Sequence, residues 1–169
     1  MSKSKPTDQV SLFPTTTFDL DSVVGLERHP ENRPYVGQWT RQQHGAAMSH
    51  ENTAHFVVRT PSDDVIGYVI LAGIQNPDRS VELKRIVIGE KGKGYGRAVV
   101  KLVKDMVFLE YDAHRLWLDV MEHNGRAYAL YLSEGFTEEG LLRECLKKGD
   151  KFISVRVMSI LEDEYNRSS

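Results

Sequence analysis

The residues most able to do chemistry lie in a glycine-rich, basic segment, Lys91-Gly92-Lys93-Gly94-Tyr95-Gly96-Arg97-Ala98. Glycines let a backbone approach a ligand closely, and the N–H groups at a helix start point outward as an anion site. Basic side chains are frequent in and around this segment: Lys84, Arg85, Lys91, Lys93, Arg97, Lys101 and Lys104. The pattern predicts a phosphate-binding turn, although glycines between a strand and a helix can also be plain turn formers.

Two common phosphate-binding motifs do not fit this turn. A P-loop requires G-x-x-x-x-G-K-[ST], and although Gly89 and Gly94 have that spacing, Tyr95 stands where the lysine is needed. The dinucleotide fingerprint G-x-G-x-x-G would require a third glycine at Arg97. The pattern that survives is x-x-Gly-x-Gly, placed between one strand and one helix.

Hydrophobic periodicity predicts the elements that position the turn. A strand over Glu82–Ile88, an amphipathic helix over 95–111 and a strand over Arg115–Met121 form one β-α-β crossover. The other expected elements are a strand near Val10–Phe13, helices over Asp19–Glu27 and Val36–Met48, strands over Ala54–Arg59 and Val65–Ile74, a helix over 125–134 and strands near Leu141–Leu146 and Phe152–Leu161. Their order predicts an α/β protein with a mixed, mostly antiparallel sheet and helices on both faces.

Size and composition narrow the class of protein. A chain of 169 residues is expected to form one domain, here 9–166, after a flexible tail of residues 1–8. A net charge of −2 gives no reason to expect nucleic-acid or polybasic membrane binding, and no apolar run reaches a membrane-spanning length. The single cysteine, Cys145, permits no intrachain disulfide, so we expect a soluble cytoplasmic protein. The six histidines form no metal motif, and we expect them on the solvated surface and no bound metal.

Two motifs resemble the GNAT superfamily of N-acetyltransferases. Lys91, Gly94 and Gly96 fall on the family's Gln/Arg-x-x-Gly-x-Gly/Ala loop, with Lys91 replacing the usual Gln or Arg. The segment from Asn124 to Phe136 is similar to the family block N-x-x-A-x-x-L-Y-x-x-x-G-F. The end of the chain, from Glu139 to Tyr165, resembles the branch that contains ribosomal-protein N-terminal acetyltransferases, which also holds enzymes acting on polyamines and small amines.

The resemblance implies an acetyl-CoA-dependent N-acetyltransferase with the GNAT fold. Acetyl would pass from acetyl-CoA to a primary amine (a protein N-terminus, a polyamine or a small amine) by direct attack in a ternary complex. In the family the strands 82–88 and 115–121 splay apart and the pantetheine arm lies between them. By position, the backbone of Ile86, Val87 and Ile88 would contact pantetheine and acetyl, and the segment from Lys91 to Ala98 would hold the pyrophosphate.

Three side chains are candidates for the chemistry itself. Tyr131 matches the family's proton donor to the leaving thiolate, and its alternative role is a packed core tyrosine. Glu82 is the best carboxylate for a general base, because it opens the strand that presents the acetyl group; it could instead join a surface salt-bridge cluster with Lys84 and Arg85, and water could be the base. Asn124 is a candidate ligand of the pantetheine arm or the N-cap of a helix.

Two other functions stay open from the residues alone: a coenzyme-A-binding sensor without catalysis, and an interaction module with a structural glycine turn. The acceptor is not fixed by the sequence. Acidic residues near the N-terminal helices (Asp19, Asp21, Glu27 and Glu31) could attract a cationic amine, although charged helical faces are usually just solvated. A homodimer is also left open.

Overall fold

The computed structural model describes residues 9–168, so the tail predicted over residues 1–8 lies outside the described residues. The strands are β1 (Ser11–Pro14), β2 (Thr53–Arg59), β3 (Val65–Ala72), β4 (Ser80–Ile88), β5 (Arg115–Met121), β6 (Thr137–Lys148) and β7 (Lys151–Leu161). The helices are α1 (Leu20–Arg28), α2 (Arg41–Ser49), α3 (Tyr95–Asp105), α4 (Gly125–Ser133) and α5 (Glu162–Ser168), and a π-helical turn over Met106–Glu110 extends α3.

The strands form one mixed sheet in the order β1-β2-β3-β4-β5-β7-β6. Every neighbouring pair is antiparallel except β4 and β5, which are joined by the crossover through α3. The predicted fold class and the predicted order of elements up to β7 are confirmed, including the single crossover.

Helices cover both faces of this sheet. Val23 of α1 packs with Val57, Tyr68, Ile70 and Val87 on one face. A larger cluster on the opposite face joins α3, α4 and α5 to the sheet through side chains such as Val99, Val103, Tyr131, Tyr165, Leu116 and Leu118. Because side chains alternate along a strand, the polar residues between these apolar ones on β4 and β5 point toward the α1–α2 face.

The largest differences between prediction and structure concern α2, β6 and α5. Helix α2 begins at Arg41 rather than Val36, because Thr40 is its N-cap: the Thr40 hydroxyl accepts from the Gln43 N–H, and the Gln43 side chain accepts from the Thr40 N–H. Strand β6 extends well beyond the predicted 141–146. Helix α5 was not expected; its acidic first turn suits the positive end of the helix dipole.

Candidate active site

The crossover places a fork in the sheet between β4 and β5. The two strands pair only at Ser80–Arg115, Val81–Leu116 and Glu82–Trp117. Beyond the last pair, β4 continues to Ile88 against β3 alone, and β5 continues to Met121 against β7 alone. We call the opening beyond Glu82 and Trp117 the fork. The splayed strands that the resemblance to the GNAT superfamily implies are confirmed here.

A β-bulge in β4 lies just beyond the fork. The register with β3 shifts between the pairs Leu71–Leu83 and Ile70–Arg85, which leaves Lys84 as the extra residue. A bulge bends its strand and increases the local twist, so it accounts for the separation of β4 from β5 at this point. The backbone edge of 83–88 that faces the fork has no partner strand among residues 9–168, and Ile86, Val87 and Ile88 lie along it. An extended ligand can add to such an edge as a strand would.

The glycine turn follows the open end of β4. Gly92 and Gly94 have φ values of 77° and 79°, a left-handed backbone that favours glycine, and Gly94 is the N-cap of α3. A Cβ atom built on Gly94 would have no neighbour within 4 Å, so backbone conformation rather than protein packing requires glycine there. Gly96 lies inside α3, and an added Cβ would only touch Leu130 at 3.5 Å. The turn therefore exposes helix-start N–H groups beside the fork, as an anion site requires.

Most of the basic residues around the turn already have acidic partners. The carboxylate of Glu134, buried at the end of α4, pairs with Arg97, Lys101 and Lys104 at 2.8, 3.4 and 3.1 Å. Lys93 pairs with Glu90 at 2.6 Å, and Arg85 pairs with Glu27 at 2.6 Å. The predicted cluster of seven phosphate-seeking cations is thus wrong in part, since Glu134 uses three of them to tie α3 to α4.

Lys91 differs from its neighbours because it makes no ion pair within residues 9–168. Burial and the nearby charge of Arg126 lower its pKa, while Glu31 opposes the shift. An anion that binds beside Lys91 would stabilise its charged ammonium form, which burial and the like charge of Arg126 destabilise. Among the predicted loop residues, Lys91 is the side chain best placed to receive a phosphate, and its role stays a prediction.

Tyr131 combines the two roles that the sequence left open. Its ring is buried, with 6% exposure, and packs against Phe136 at a centroid distance of 5.7 Å. Its hydroxyl makes no hydrogen bond to the described residues, yet every fully buried side-chain nitrogen or oxygen among them has a partner. The hydroxyl oxygen is therefore reached by solvent. Burial of the ring, and secondly the charge of Asp119, raise the pKa of Tyr131, so the phenol stays protonated at neutral pH.

Glu82 lies at the last pair of the fork and is half-buried. It forms no ion pair with Lys84, Arg85 or any other residue in 9–168, so the predicted alternative of a salt-bridge cluster is not what the structure has. Burial raises the pKa of Glu82, and the charge of Asp119 raises it further while Lys84 opposes. A carboxylate with a raised pKa is a better base than an ordinary surface glutamate.

Asn124 caps α4. Its side-chain oxygen accepts a hydrogen bond from the N–H of Ala127 at 3.3 Å. The long distance leaves the cap weak. A contact with the pantetheine arm stays a prediction, and it would have to compete with the cap for the same side chain.

Beneath α1 and α2 lies a buried network that the sequence analysis missed. The side chain of Glu27 is fully buried. Its carboxylate accepts four hydrogen bonds: from the Tyr68 hydroxyl at 2.5 Å, from Arg85 at 2.6 Å, from the Trp39 N–H at 2.9 Å and from His44 at 2.9 Å. Hydrogen bonds from His44, Tyr68 and Trp39 outweigh the effect of burial and hold the pKa of Glu27 below its usual value.

Two histidines extend this buried network. His44 Nδ1 lies 3.0 Å from His55 Nε2, and His55 Nδ1 lies 2.8 Å from the Thr15 hydroxyl. If His44 donates to Glu27, then His55 donates to His44 and Thr15 donates to His55, which needs no extra proton on either ring. The expectation of solvated histidines is therefore wrong for His44 and His55, which are 0% and 6% exposed. Glu27 is likewise not an acidic residue free to attract an amine.

Arg85 connects this network to the fork. Besides Glu27, it donates to the Gly37 carbonyl at 2.8 Å and lies over the Trp39 ring at 4.0 Å. Because Arg85 flanks the bulge of β4, the network fixes the 37–39 segment against the strand that borders the fork. His44 also meets the Trp39 ring edge-on, which leaves the indole little freedom.

Comparison with known proteins identifies this combination of fork, glycine turn and crossover. The Acetyltransferase (GNAT) family matches residues 20–136, which include every element that borders the fork. The chain belongs to the GNAT family. It is an acetyl-CoA-dependent acetyltransferase, with acetyl-CoA as co-substrate, as the resemblance implied.

The relatives of this GNAT chain include bacterial spermidine acetyltransferases. The chain is 35% identical over 122 residues to spermidine N(1)-acetyltransferase of Vibrio cholerae, covering 70% of each chain. It is 26% identical over 167 residues to spermidine N(1)-acetyltransferase of Escherichia coli, covering 92% of this chain and 88% of the relative. A crystal structure of spermidine N-acetyltransferase from Vibrio cholerae in complex with CoA and spermine superposes with a TM-score of 0.85 at 26% identity, covering 94% and 98% of the two chains.

These relatives correct one expectation. The end of the chain suggested the branch of ribosomal-protein N-terminal acetyltransferases, whereas the relatives reported above are spermidine acetyltransferases. Two further facts concern the described residues alone: no helix within 9–168 is long and apolar enough to span a membrane, and no group of three or more His, Cys, Asp or Glu side chains in that range could hold a metal ion.

Proposed function

We propose that this GNAT enzyme transfers acetyl from acetyl-CoA to a primary amine of a polyamine such as spermidine, by direct attack in a ternary complex. The observation that carries the proposal is the fork, where an unpaired carboxylate, Glu82, lies on the α1–α2 face and Tyr131 belongs to the opposite cluster. The spermidine acetyltransferases among the relatives support the choice of acceptor.

Coenzyme A is proposed to enter with its pyrophosphate on the N–H groups from Lys91 to Ala98 and its pantetheine arm along the open edge of β4. Ile86, Val87 and Ile88 would supply backbone hydrogen bonds, one of them to the oxyanion. Asn124 would help to hold the arm. The thioester carbonyl then lies near the fork, between Glu82 and Tyr131.

Glu82, directly or through a water, is proposed to take a proton from the acceptor ammonium. The free amine attacks the thioester carbon, the C–S bond breaks, and Tyr131 gives its proton to the sulfur. An ordinary thiol is a stronger acid than a phenol, so this transfer is unfavourable in water. In a dry site the thiolate is destabilised too, which offsets the difference.

An acceptor panel tests the proposal: acetyl-CoA with spermidine, spermine, a peptide with a free N-terminus, an amino acid and an aminoglycoside. We expect the polyamines to have the highest kcat/KM. Release of the coenzyme A thiol measures the rates, and mass spectrometry identifies the products. A peptide acetylated faster than spermidine would contradict the acceptor. As a control for cofactor binding, acetyl-CoA at 100 times its Kd should stabilise the protein by about 2.7 kcal/mol, while NAD and ATP should not.

A homodimer and a cytoplasmic location stay predictions. Strand β6 is an edge of the sheet, and apolar side chains are exposed on it and on β7: Leu141, Leu142, Leu146 and Phe152. Patches of this kind mark interaction sites in many proteins.

A further inference from the structure

A second carboxylate, Asp119, lies at the fork beside Glu82. Glu82 is paired with Trp117, and Asp119 follows Trp117 by two residues on β5. Leu118 and Val120, the neighbours of Asp119, belong to the large core cluster, as do Val81 and Leu83 on either side of Glu82. Alternation therefore places both carboxylates on the same face, diagonally across the fork.

Asp119 has no partner within residues 9–168, in hydrogen bonds or in ion pairs. Asp119 is exposed, so a ligand can reach it. Buried or partly buried carboxylates, in contrast, are neutralised: Glu27 by Arg85, Asp19 by Arg59, Glu134 by Arg97 and Lys104, and Glu138 by Arg156. The charge of Asp119 raises the pKa of Glu82, and a cation bound between the two carboxylates would offset this repulsion. Partial desolvation raises the pKa of Asp119.

The third unpartnered group at this place is the Tyr131 hydroxyl. The charge of Asp119 contributes to the raised pKa of both Glu82 and Tyr131, so Asp119 lies within electrostatic range of the two candidate catalytic groups. Tyr131 is more than nine-tenths buried, and its oxygen is nevertheless accessible. The other charged group near Glu82 is Lys84 on β4, which lies 5.4 Å from the Trp39 ring and reduces the local negative charge only in part.

We propose that Asp119, together with Glu82, binds the ammonium group of the acceptor at the fork and so selects cationic primary amines. The inference deepens the proposed function and rests on it. The two carboxylates hold the amine nitrogen next to the thioester, and Glu82 is also the proton acceptor. Because Asp119 acts when the ammonium group binds, before any bond is made or broken, its main effect is on acceptor binding.

The protons balance in this arrangement. The acceptor arrives as R–NH₃⁺, bound by Asp119 and Glu82, and gives one proton to Glu82, directly or through a water. The neutral amine forms a C–N bond with the thioester carbon, and the C–S bond breaks. Tyr131 delivers its proton to the thiolate. The nitrogen loses a second proton as the amide forms, and this proton restores Tyr131 through water. Glu82 then releases its proton to water, so the whole cycle releases one proton.

Asp119→Asn tests the inference, because asparagine keeps the size and removes the charge. We expect the KM for spermidine to rise about 10- to 100-fold, the range for a hydrogen bond to a charged group, while the KM for acetyl-CoA stays within twofold. Asp119→Glu should recover part of the affinity. Since Asp119 has no partner in the fold, the melting temperature of the Asn variant should match that of the parent.

Glu122→Gln is the matched control. Glu122 is three residues further along the chain, exposed, and 3.9 Å from Arg156. Its loss removes the same charge without touching the fork, so the spermidine KM should stay within twofold. Equal effects of the two variants, or an Asp119→Asn enzyme with an unchanged spermidine KM, would overturn the inference even if spermidine is the acceptor.

The outcomes for the two proposals are distinct. If the parent enzyme ignores spermidine but acetylates another amine of the panel, the proposed acceptor fails, and the same variants assayed with that amine decide the role of Asp119. A neutral or anionic amine as the best acceptor, with no effect of Asp119→Asn, overturns the inference. A parent that acetylates no amine of the panel overturns both.

Discussion

Two regions of this acetyltransferase contain the same kinds of side chain in opposite conditions. In the buried network, the Glu27 carboxylate receives four hydrogen bonds, and Tyr68 donates one of them. At the fork, Glu82 and Asp119 have no partner in residues 9–168, and neither has the Tyr131 hydroxyl. Polar groups that satisfy one another fix a structure, whereas unsatisfied ones gain from a ligand.

The pKa shifts have opposite signs for the same reason. Hydrogen bonds lower the pKa of Glu27 despite its complete burial, whereas burial and a like charge raise the pKa of Glu82. The two tyrosines show the same contrast. The Tyr68 hydroxyl donates to Glu27 at 2.5 Å, whereas the Tyr131 hydroxyl donates to no residue in 9–168. Arg85 lies between the regions, because it pairs with Glu27 and flanks the bulge that opens the fork.

The largest effect should come from Glu27→Gln. The substitution keeps the shape but leaves Arg85 buried without a counter-charge, and breaking a buried ion pair costs about 3–5 kcal/mol. For a domain of this size the melting temperature should fall by about 6–20 °C. Glu82→Gln is the matched control and should leave stability within about 0.5 kcal/mol. Urea unfolding of both variants measures this, and equal stability would contradict the distinction between the regions.

The fold could be predicted because periodicity is local. The strand Arg115–Met121 alternates so regularly that its predicted bounds match β5, and the glycines mark the turn before α3. Helix α2 starts five residues later than the predicted Val36, because the capping box at Thr40 decides the boundary. The glycine turn, the open strand edge and the position of Tyr131 could therefore be predicted from the two family motifs and the order of the elements.

The buried network and Asp119 could not be predicted in the same way. His44 and Arg85 both contact Glu27, but they lie 17 and 58 residues from it along the chain. Polar residues are also usually exposed, so the sequence does not indicate a buried network. Asp119 shows only an alternating polar position on β5. Its importance follows from the register with β4, which places it across the fork from Glu82.

A second, smaller effect should appear in the pH dependence of stability. Burial lowers the pKa of His55 from 6.5 to about 4. Between those pH values the unfolded chain binds a proton at this position that the native protein does not, so the free energy of unfolding falls as pH falls. The loss should reach about 3 kcal/mol from pH 6.5 to pH 4.

Urea unfolding at steps of pH measures this loss. His55→Gln should be less stable than the parent near neutral pH but should lack this part of the slope. His114→Gln, a substitution of an exposed histidine, should keep the slope of the parent. A parent with constant stability from pH 7 to pH 4.5 would show that His55 takes up its proton without unfolding.

The smallest effect on folding stability should come from Tyr131→Phe, which should change turnover alone. The ring stays packed against Phe136, and the lost hydroxyl has no hydrogen bond to a described residue, so melting temperature and acetyl-CoA affinity should hardly change. Removing a general acid typically costs 10²–10⁴-fold, and because water can substitute in part we expect kcat to fall at least about tenfold. Tyr68→Phe is the opposite case: its hydroxyl donates to Glu27, so the variant should lose stability. Initial rates at saturating acetyl-CoA, with thermal melting of both variants, measure the two effects. If Tyr131→Phe keeps kcat within twofold of the parent, the thiolate takes its proton from water, and Tyr131 serves only to pack the wall of the fork.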